Sequence, residues 1–75
     1  MKTRNYWKIR CNHTPEIIDR ILMPIRKRGL SVETMSYKKD GEQGYCEIEI
    51  QIEEDDATRI YKNLMRITDI LEVEK

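Results

Sequence analysis

The sequence predicts an α+β fold, a sandwich in which a four-stranded antiparallel sheet is covered on one face by two helices. Two kinds of pattern lead to this prediction. Four stretches alternate apolar and polar residues, as half-buried strands do, and two stretches repeat apolar residues every three or four positions, as amphipathic helices do. Along the 75 residues these stretches follow the order βαββαβ. The length predicts one domain that spans residues 1–75.

The first strand is predicted over residues 4–11, where the alternation is regular. The first helix follows, with an apolar stripe over residues 17–25. Thr14 is expected to cap this helix, because a proline comes next and proline is best tolerated in a first turn. Gly29 is expected to end it, since glycine readily adopts the left-handed conformation. Pro24 removes a helical hydrogen bond, which predicts a kink or a frayed last turn.

The second and third strands are predicted to form a hairpin. The second covers residues 30–38, a polar loop with two glycines follows, and the third covers residues 45–52 with strict alternation. In this order the first and third strands lie side by side in the middle of the sheet, and we expect them to run parallel. Cys11 and Cys46 would then lie at opposite ends of neighbouring strands, too far apart for a disulfide.

The second helix and the fourth strand complete the predicted domain. Asp55 or Asp56 is expected to cap the helix, whose apolar stripe runs over residues 57–67. The strand is predicted over residues 69–74, with Leu71 on its apolar face. The whole order is the split-βαβ, or ferredoxin-like, arrangement.

Charge and hydropathy argue against several classes of partner. Lys and Arg number 14 and Asp and Glu number 14, so the formal net charge is +0 and no overall field attracts nucleic acid or an anionic membrane. The mean hydropathy of -0.75 argues against a transmembrane helix, and the first residues lack the apolar core of a signal peptide. A cytoplasmic location is therefore expected.

No group of residues in the sequence is typical of catalysis. The single histidine, His13, has no nucleophile near it in sequence, and the two cysteines form no C-x-x-C pair. The three glycines match no nucleotide-binding loop. We therefore expect no catalytic residue, no metal site and no cofactor on this chain.

RNA binding is an alternative that the βαββαβ order itself raises, because RNA-recognition motifs share it and stack bases on aromatic residues of their middle strands. Tyr6 and Tyr45 are expected on the open sheet face. However, Glu47 occupies the position of a second stacking aromatic residue. The first strand carries Lys8 and Arg10 where the other motif would lie. Nucleic acid is therefore not the expected partner.

Two segments carry a resemblance to a known family. Residues 14–35 begin Thr-Pro-Glu and end Ile-Arg-Lys-Arg-Gly-Leu-Ser-Val-Glu-Thr-Met, and residues 64–73 read Leu-Met-Arg-Ile-Thr-Asp-Ile-Leu-Glu-Val. Both resemble the ACT domain of acetolactate synthase (acetohydroxyacid synthase) small subunits. The resemblance implies a non-catalytic regulatory subunit of branched-chain amino acid biosynthesis that forms a homodimer through sheet edges and activates a large catalytic subunit. Thiamine diphosphate, FAD and magnesium would belong to that large subunit.

The resemblance also implies an effector site where the first strand meets the first helix. In feedback-inhibited members a branched-chain amino acid binds there, at a motif that reads Asn-x-Pro-Gly. The candidate effector-binding residues are Asn12, His13, Thr14, Pro15, Glu16 and Thr34. Glu16 replaces the glycine, and its charge would repel an effector carboxylate at the helix N-terminus. The chain therefore looks like the short, valine-insensitive type of subunit. The alternative is a stand-alone ACT domain that senses an amino acid or another small molecule.

Candidate contacts with the catalytic partner are assigned to the sheet face that the helices leave uncovered. They are Tyr6, Lys8, Arg10, Met35, Tyr37, Tyr45, Glu47 and Glu49. The basic residues of the first strand are expected beside the acidic residues of the third. The same charges are also typical of a sheet face that meets only water.

Overall fold

A computed structural model describes residues 1–75 and has the order of elements that the sequence predicts. The elements are β1 (Lys2–Asn12), α1 (Ile17–Lys27), β2 (Thr34–Asp40), β3 (Gln43–Glu53), α2 (Glu54–Met65) and β4 (Ile70–Glu74). The strands form one sheet in the order β2-β3-β1-β4, and every neighbouring pair is antiparallel. The predicted ferredoxin-like α+β fold is confirmed. Neither helix is long and apolar enough to cross a membrane.

The central pair, β1 and β3, runs antiparallel, so the expectation of a parallel pair is wrong. In a split βαβ unit the helix returns the chain and makes β2 parallel to β1, and the hairpin then reverses β3. Ile9 lies opposite Cys46, and Cys11 lies opposite Gly44. The two cysteines therefore lie diagonally at the same end of the sheet, not at opposite ends. Both are free and buried, and diagonal neighbours about 7–8 Å apart are too distant for a disulfide.

The core lies between one face of the sheet and the inner sides of both helices. Its members are apolar, and no charged or polar side chain is buried with them. The core residues are Trp7, Ile9, Cys11, Ile17, Ile21, Ile25, Cys46, Ile48, Ile50, Ile52, Ile60, Leu64 and Val73. Full burial of one such aliphatic side chain contributes about 1.5–3 kcal/mol, so this single layer of contacts supplies most of the stability of the domain.

The start of each helix differs from the prediction. The residues that precede α1 and α2 are Glu16 and Glu53, and neither forms a side-chain capping bond. The assignment of Thr14, Asp55 and Asp56 as caps is therefore wrong. Because α2 begins directly after β3, the two aspartates lie in its first turn, where acidic charge complements the helix dipole.

Gly29 ends α1 as predicted, with a φ of 71°. Its N–H donates to the Arg26 carbonyl at 2.9 Å, and the Leu30 N–H donates to the Ile25 carbonyl at 3.2 Å. This pair of bonds is a Schellman motif. The helix continues through Pro24 as far as this motif, so its last turn is not frayed.

Several boundaries and the register of β4 also differ from the prediction. β2 begins at Thr34, later than expected, and Ile67 lies beyond the end of α2. In β4 the register shifts, so that Cys11 pairs with Ile70 and Leu71 becomes an extra residue. Leu71 is 41% exposed, and Ile70 packs against the core in its place.

Candidate functional site

Five of the six candidate effector residues lie at the end of β1 and in the loop that leads to α1. Backbone hydrogen bonds hold this segment. The Asn12 N–H donates to the Asp69 carbonyl at 2.8 Å, and the His13 N–H donates to the Glu42 carbonyl at 2.8 Å. The segment is thereby tied to the turn between β2 and β3 and to the start of β4. None of the cavities of the chain is lined by residues 12–16.

Tyr37 on β2 fixes the ring of His13. The Tyr37 hydroxyl lies 2.7 Å from His13 Nδ1, and the two ring centroids are 5.7 Å apart. The same hydroxyl lies 4.0 Å from Cys11 Sγ, and the Cys11 thiol donates to the Gly44 carbonyl at 3.5 Å. A Cβ atom at Gly44 would collide with the Tyr37 hydroxyl. The missing side chain at Gly44 is therefore what makes room for the tyrosine.

Burial keeps the acidic groups of this cluster protonated. Loss of solvent, together with the neighbouring Cys11, raises the pKa of Tyr37 to about 12 and that of Cys46 to about 12. Burial also raises the pKa of Cys11. A thiol is a nucleophile only as the thiolate, so these cysteines act as small apolar residues. The chain contains no group of three His, Cys, Asp or Glu side chains that could hold a metal ion.

Thr34 does not join the other candidate effector residues. It begins β2 opposite Glu49, and its hydroxyl donates to the Glu49 carboxylate at 3.3 Å. The loop after β1 lies beside Gln43, at the other end of β3. At a strand rise of about 3.4 Å per residue, the two places are about 20 Å apart. One small effector cannot touch both within a single chain.

The sheet face without helices holds rows of opposite charge on neighbouring strands. The basic row on β1 consists of Lys2, Arg4, Lys8 and Arg10, and the acidic rows consist of Glu47, Glu49 and Glu53 on β3 and of Glu72 and Glu74 on β4. The register places these rows side by side, as the sequence predicts for β1 and β3. Exposed ion pairs contribute only about 0–1 kcal/mol each, so the charges remain available to a partner.

Two arginines on this open face pair within the chain. Arg4 contacts Glu49 and lies 3.0 Å from Glu33, and these two carboxylates raise its pKa. Arg10 lies 3.8 Å from Glu72. Arg4, Glu72 and Glu74 were not among the predicted contacts, although the same alternation of residues that identified Lys8 and Glu47 extends to them.

Tyr6, Lys8 and Tyr45 give this face its exposed centre. The Tyr6 hydroxyl donates to Glu47 at 2.7 Å, and this bond raises the pKa of Tyr6. Lys8 lies between Glu47 and Glu74 in the register. Tyr6 and Tyr45 are 46% and 41% exposed. Aromatic rings with a polar end suit a surface that binds protein.

Met35 and Tyr37 lie on the helix-covered face, so their assignment to the open face is wrong. Met35 pairs with Ile48 and Tyr37 with Cys46, and both pack against the core. The reason is the register of β2 with β3, which turns the odd-numbered residues of β2 inward, whereas the apolar residues before the strand are even-numbered. The remaining predicted contacts lie on the open face: Tyr6, Lys8, Arg10, Tyr45, Glu47 and Glu49.

A known family matches most of the chain. The sequence profile of the ACT domain matches residues 13–73. The chain belongs to the ACT domain family. No curated protein matches this ACT domain.

Solved structures share the fold of this ACT domain. It is similar to the ACT domain of GTP pyrophosphokinase of Chlorobium tepidum, with a TM-score of 0.84 and 16% identity over 99% of this chain and 97% of that chain. An uncharacterized protein of Thermotoga maritima has a TM-score of 0.81 and 8% identity over 99% of this chain and 94% of that chain. A formyltetrahydrofolate deformylase of Pseudomonas putida has a TM-score of 0.70 and 9% identity over 97% of this chain and 29% of that chain. At these identities the likeness is one of fold. The ACT domain is a regulatory domain that binds small molecules, and this is the class of function to which the chain belongs.

Proposed function

We propose that this ACT domain is a regulatory small subunit of acetolactate synthase, which binds and activates a large catalytic subunit on another chain. The observation that carries the proposal is the resemblance of residues 14–35 and 64–73 to such subunits. The family match over residues 13–73 supports it. In this proposal thiamine diphosphate, FAD and magnesium belong to the large subunit, and this chain binds no cofactor. Its place of action is the cytoplasm.

The open sheet face is the proposed contact with the large subunit. Its exposed tyrosines and its unpaired Lys8 support this assignment, because aromatic residues with a polar end are enriched in protein interfaces. A subunit activates an enzyme only if it binds the active conformation more tightly than the inactive one. The proposed contacts therefore form fully only with the active large subunit.

The proposed homodimer forms through the edge of β2. β2 is an edge strand, and an apolar groove lined by Leu22, Ile25, Leu30 and Val32 lies between α1 and the loop before β2. Ile18, which is 38% exposed, extends this apolar surface along α1. A second copy on this edge would cover both the unpaired backbone and the apolar groove.

We further propose that the subunit lacks strong feedback by valine. The Asn12 and His13 amides already donate to backbone carbonyls, and the Ile17 N–H donates to the Thr14 carbonyl at 3.2 Å. Proline at position 15 has no amide to offer. Few donors remain for an effector carboxylate. Isothermal titration with valine, leucine and isoleucine tests this point, and micromolar binding to the dimer would overturn it.

A sensor of a small molecule that acts alone is the second candidate. One observation favours it: the Thr14 hydroxyl is buried in the loop and has no hydrogen-bond partner. Buried polar groups of native proteins are nearly always paired, so this hydroxyl is the side-chain group of the loop that is free to bind a polar atom of a small molecule.

Reconstitution distinguishes the two functions. The purified chain is mixed with the acetolactate synthase large subunit of the same organism, and acetolactate formation from pyruvate is measured with and without it. The proposal expects co-elution of the two chains and a several-fold rise in rate. Absence of both would overturn the regulatory-subunit proposal, and binding of a small molecule by the isolated chain would then support the sensor.

A further inference from the structure

A groove lies between α1 and α2 at the surface of the helix layer. It has a volume of about 260 Å³. Its walls are mainly apolar and basic, and they include no acidic side chain. They consist of Arg20, Met23, Pro24, Lys27, Asn63 and Ile67. The groove is therefore separate from the loop after β1 and from the open sheet face.

The middle of the groove is apolar. Met23 and Pro24 line it from α1, and Ile67 lines it just beyond α2. Met23 is 50% exposed, and methionine is enriched in protein interfaces, where its flexible side chain adapts to a partner. Pockets that enclose a small molecule have volumes of about 300–1,000 Å³. A surface groove of about 260 Å³ is better suited to one apolar side chain of a larger partner.

Basic residues lie near both ends of the groove. The helices run antiparallel: the end of α1 pairs with the first turn of α2, and Arg20 near its start pairs with Asp69 beyond α2. Lys27 in the last turn of α1 therefore lies near one end, and Arg66, the C-cap of α2, lies near the other. Arg66 follows Asn63 by three residues, which places it on the groove side of α2.

The charges of Lys27 and Arg66 are free. Both residues are exposed, and neither forms an ion pair within the chain. The charge of Arg20, by contrast, is matched by Asp69 at 3.1 Å. A second copy bound symmetrically through the same groove would bring the free cations together, and like charges repel. A partner with acidic residues on both sides of an apolar one complements the groove.

The walls of the groove determine the form of that partner. Both are helical, so their backbone groups bond within their own helix and an extended strand finds no free partner. A helix instead docks through its side chains, which enter the groove between two neighbouring helices. Single-stranded nucleic acid stacks its bases on aromatic rings, and the exposed Tyr6 and Tyr45 lie on the open sheet face. An amphipathic helix is therefore the favoured occupant.

We propose that the groove between α1 and α2 binds an acidic amphipathic helix of another polypeptide. One apolar side chain of that helix enters the middle of the groove, against Met23 and Ile67. Acidic residues three or four positions before and after it meet Lys27 and Arg66, because this spacing covers two helical turns, about 10 Å. The site goes beyond the proposed function. It lies on the layer opposite the open sheet face, so both surfaces can be occupied at once.

A peptide titration followed by NMR tests the proposal. The probe is two copies of Glu-Glu-Ala-Ala-Leu-Leu-Ala in one peptide with acetyl and amide ends, added to the full chain. The amides of Met23, Lys27 and Asn63 should shift, and the helix content of the peptide should rise. Peptides with Lys in place of Glu, or with Ala in place of Leu, should bind about ten-fold more weakly or not at all. No response to the acidic peptide, or an equal response to either altered peptide, would overturn the proposal.

The same titration separates a protein partner from other anionic ligands. A single-stranded RNA oligonucleotide and vesicles of phosphatidylglycerol are added in place of the peptide. The proposal expects neither to shift the amides of the groove at concentrations where the acidic peptide does. Tighter binding of RNA or vesicles at these amides would overturn it, and so would a peptide response confined to the open sheet face.

Removal of the free charges locates the contact. Lys27→Ala combined with Arg66→Ala should weaken binding of the acidic peptide by about three- to ten-fold, because two exposed charge contacts are lost. Lys2→Ala combined with Lys38→Ala is the matched control, because these lysines are also exposed, form no ion pair and lie away from the groove. Both variants lose two positive charges, and circular dichroism checks that both are folded. Equal weakening in the two variants would contradict docking in the groove.

Discussion

The hydroxyl of Tyr37 lies 2.7 Å from Nδ1 of His13, and this one bond joins an inner face of β2 to the loop that leads to α1. Because β2 is also the proposed dimer edge and the loop is the proposed effector segment, the bond connects two surfaces that regulation would use. Its strength and its role can be measured directly, since His13 is the only histidine in the chain.

Replacing Tyr37 by phenylalanine should release the His13 ring. The substitution keeps the packed ring and removes one hydrogen bond, so Tyr37→Phe should lower the free energy of unfolding by about 1 kcal/mol. The ¹⁵N shifts of His13 should change from one fixed tautomer to a mixture. Tyr45→Phe is the control, because the Tyr45 hydroxyl is exposed and bonds only to Gln43. Equal losses in the two variants would contradict the role assigned to Tyr37.

A methyl group at position 44 should displace Tyr37. The added Cβ atom of Gly44→Ala occupies the place of the tyrosine hydroxyl, and overpacking of this kind costs about 1–3 kcal/mol. Urea unfolding measures the loss, and Ser36→Ala on the other face of the sheet should cost less. In the double variant with Tyr37→Ala, the loss should be smaller than the sum of the two single losses. Strict additivity would show that the two positions do not interact.

Alkaline pH should destabilise the domain. The folded-state pKa of Cys46 is raised to about 12 from its ordinary value of 9.0, and that of Tyr37 is raised to about 12 from 10.0. The folded chain therefore holds protons that the unfolded chain releases, and stability falls as pH rises from about 9 to 12. Urea midpoints between pH 8 and about 11 measure this fall. The slope should be smaller in Cys46→Ala, and an unchanged slope would count against the raised pKa of Cys46.

Two substitutions on the open sheet face should weaken binding of the large subunit without unfolding the domain. Arg10→Ala combined with Glu47→Ala removes charge from the proposed contact, while exposed pairs contribute only about 0–1 kcal/mol to folding. The concentration of the chain that gives half-maximal activation should rise several-fold. The double variant Arg59→Ala and Glu42→Ala, exposed but outside this face, should activate like the unmodified chain. Loss of activation in both variants would argue against the open face.

A charge on the exposed part of α1 should dissociate the proposed dimer. Ile18 lies one helical turn before Leu22 on α1 and is 38% exposed, so Ile18→Glu should convert dimers to monomers in analytical ultracentrifugation. Met65→Glu is the matched control, because Met65 is 49% exposed on α2 and away from that groove. A dimer that survives Ile18→Glu would place the interface elsewhere.

Local pattern was sufficient to predict most of the fold. The strict alternation over residues 45–52 and the position of Gly29 gave the third strand and the end of α1, because both depend on neighbours in sequence. Strand direction depends on the path of the whole chain, which alternation of residues does not encode. The prediction of a parallel central pair was wrong for this reason. The predicted cap of α2 was wrong for a related reason: α2 begins without a loop, so its N-cap position falls on Glu53, the last residue of β3, and the two aspartates lie inside the first turn.

The candidate site was less predictable, because it is built from segments that are distant in sequence. The open-face positions of β1 and β3 followed from alternation. Met35 and Tyr37 were misplaced because Leu30 and Val32 pack on the core from the loop before β2, so the alternation that these two residues begin does not continue into the strand. The separation of Thr34 from His13 follows from the register of β3 with two strands, which no single stretch of sequence encodes.

The junction between β3 and α2 contains no intervening residue, since one ends at Glu53 and the other begins at Glu54. The direction in which β3 leaves the sheet therefore also sets the direction in which α2 begins, and continuous backbone joins a central strand to the helix layer without a loop.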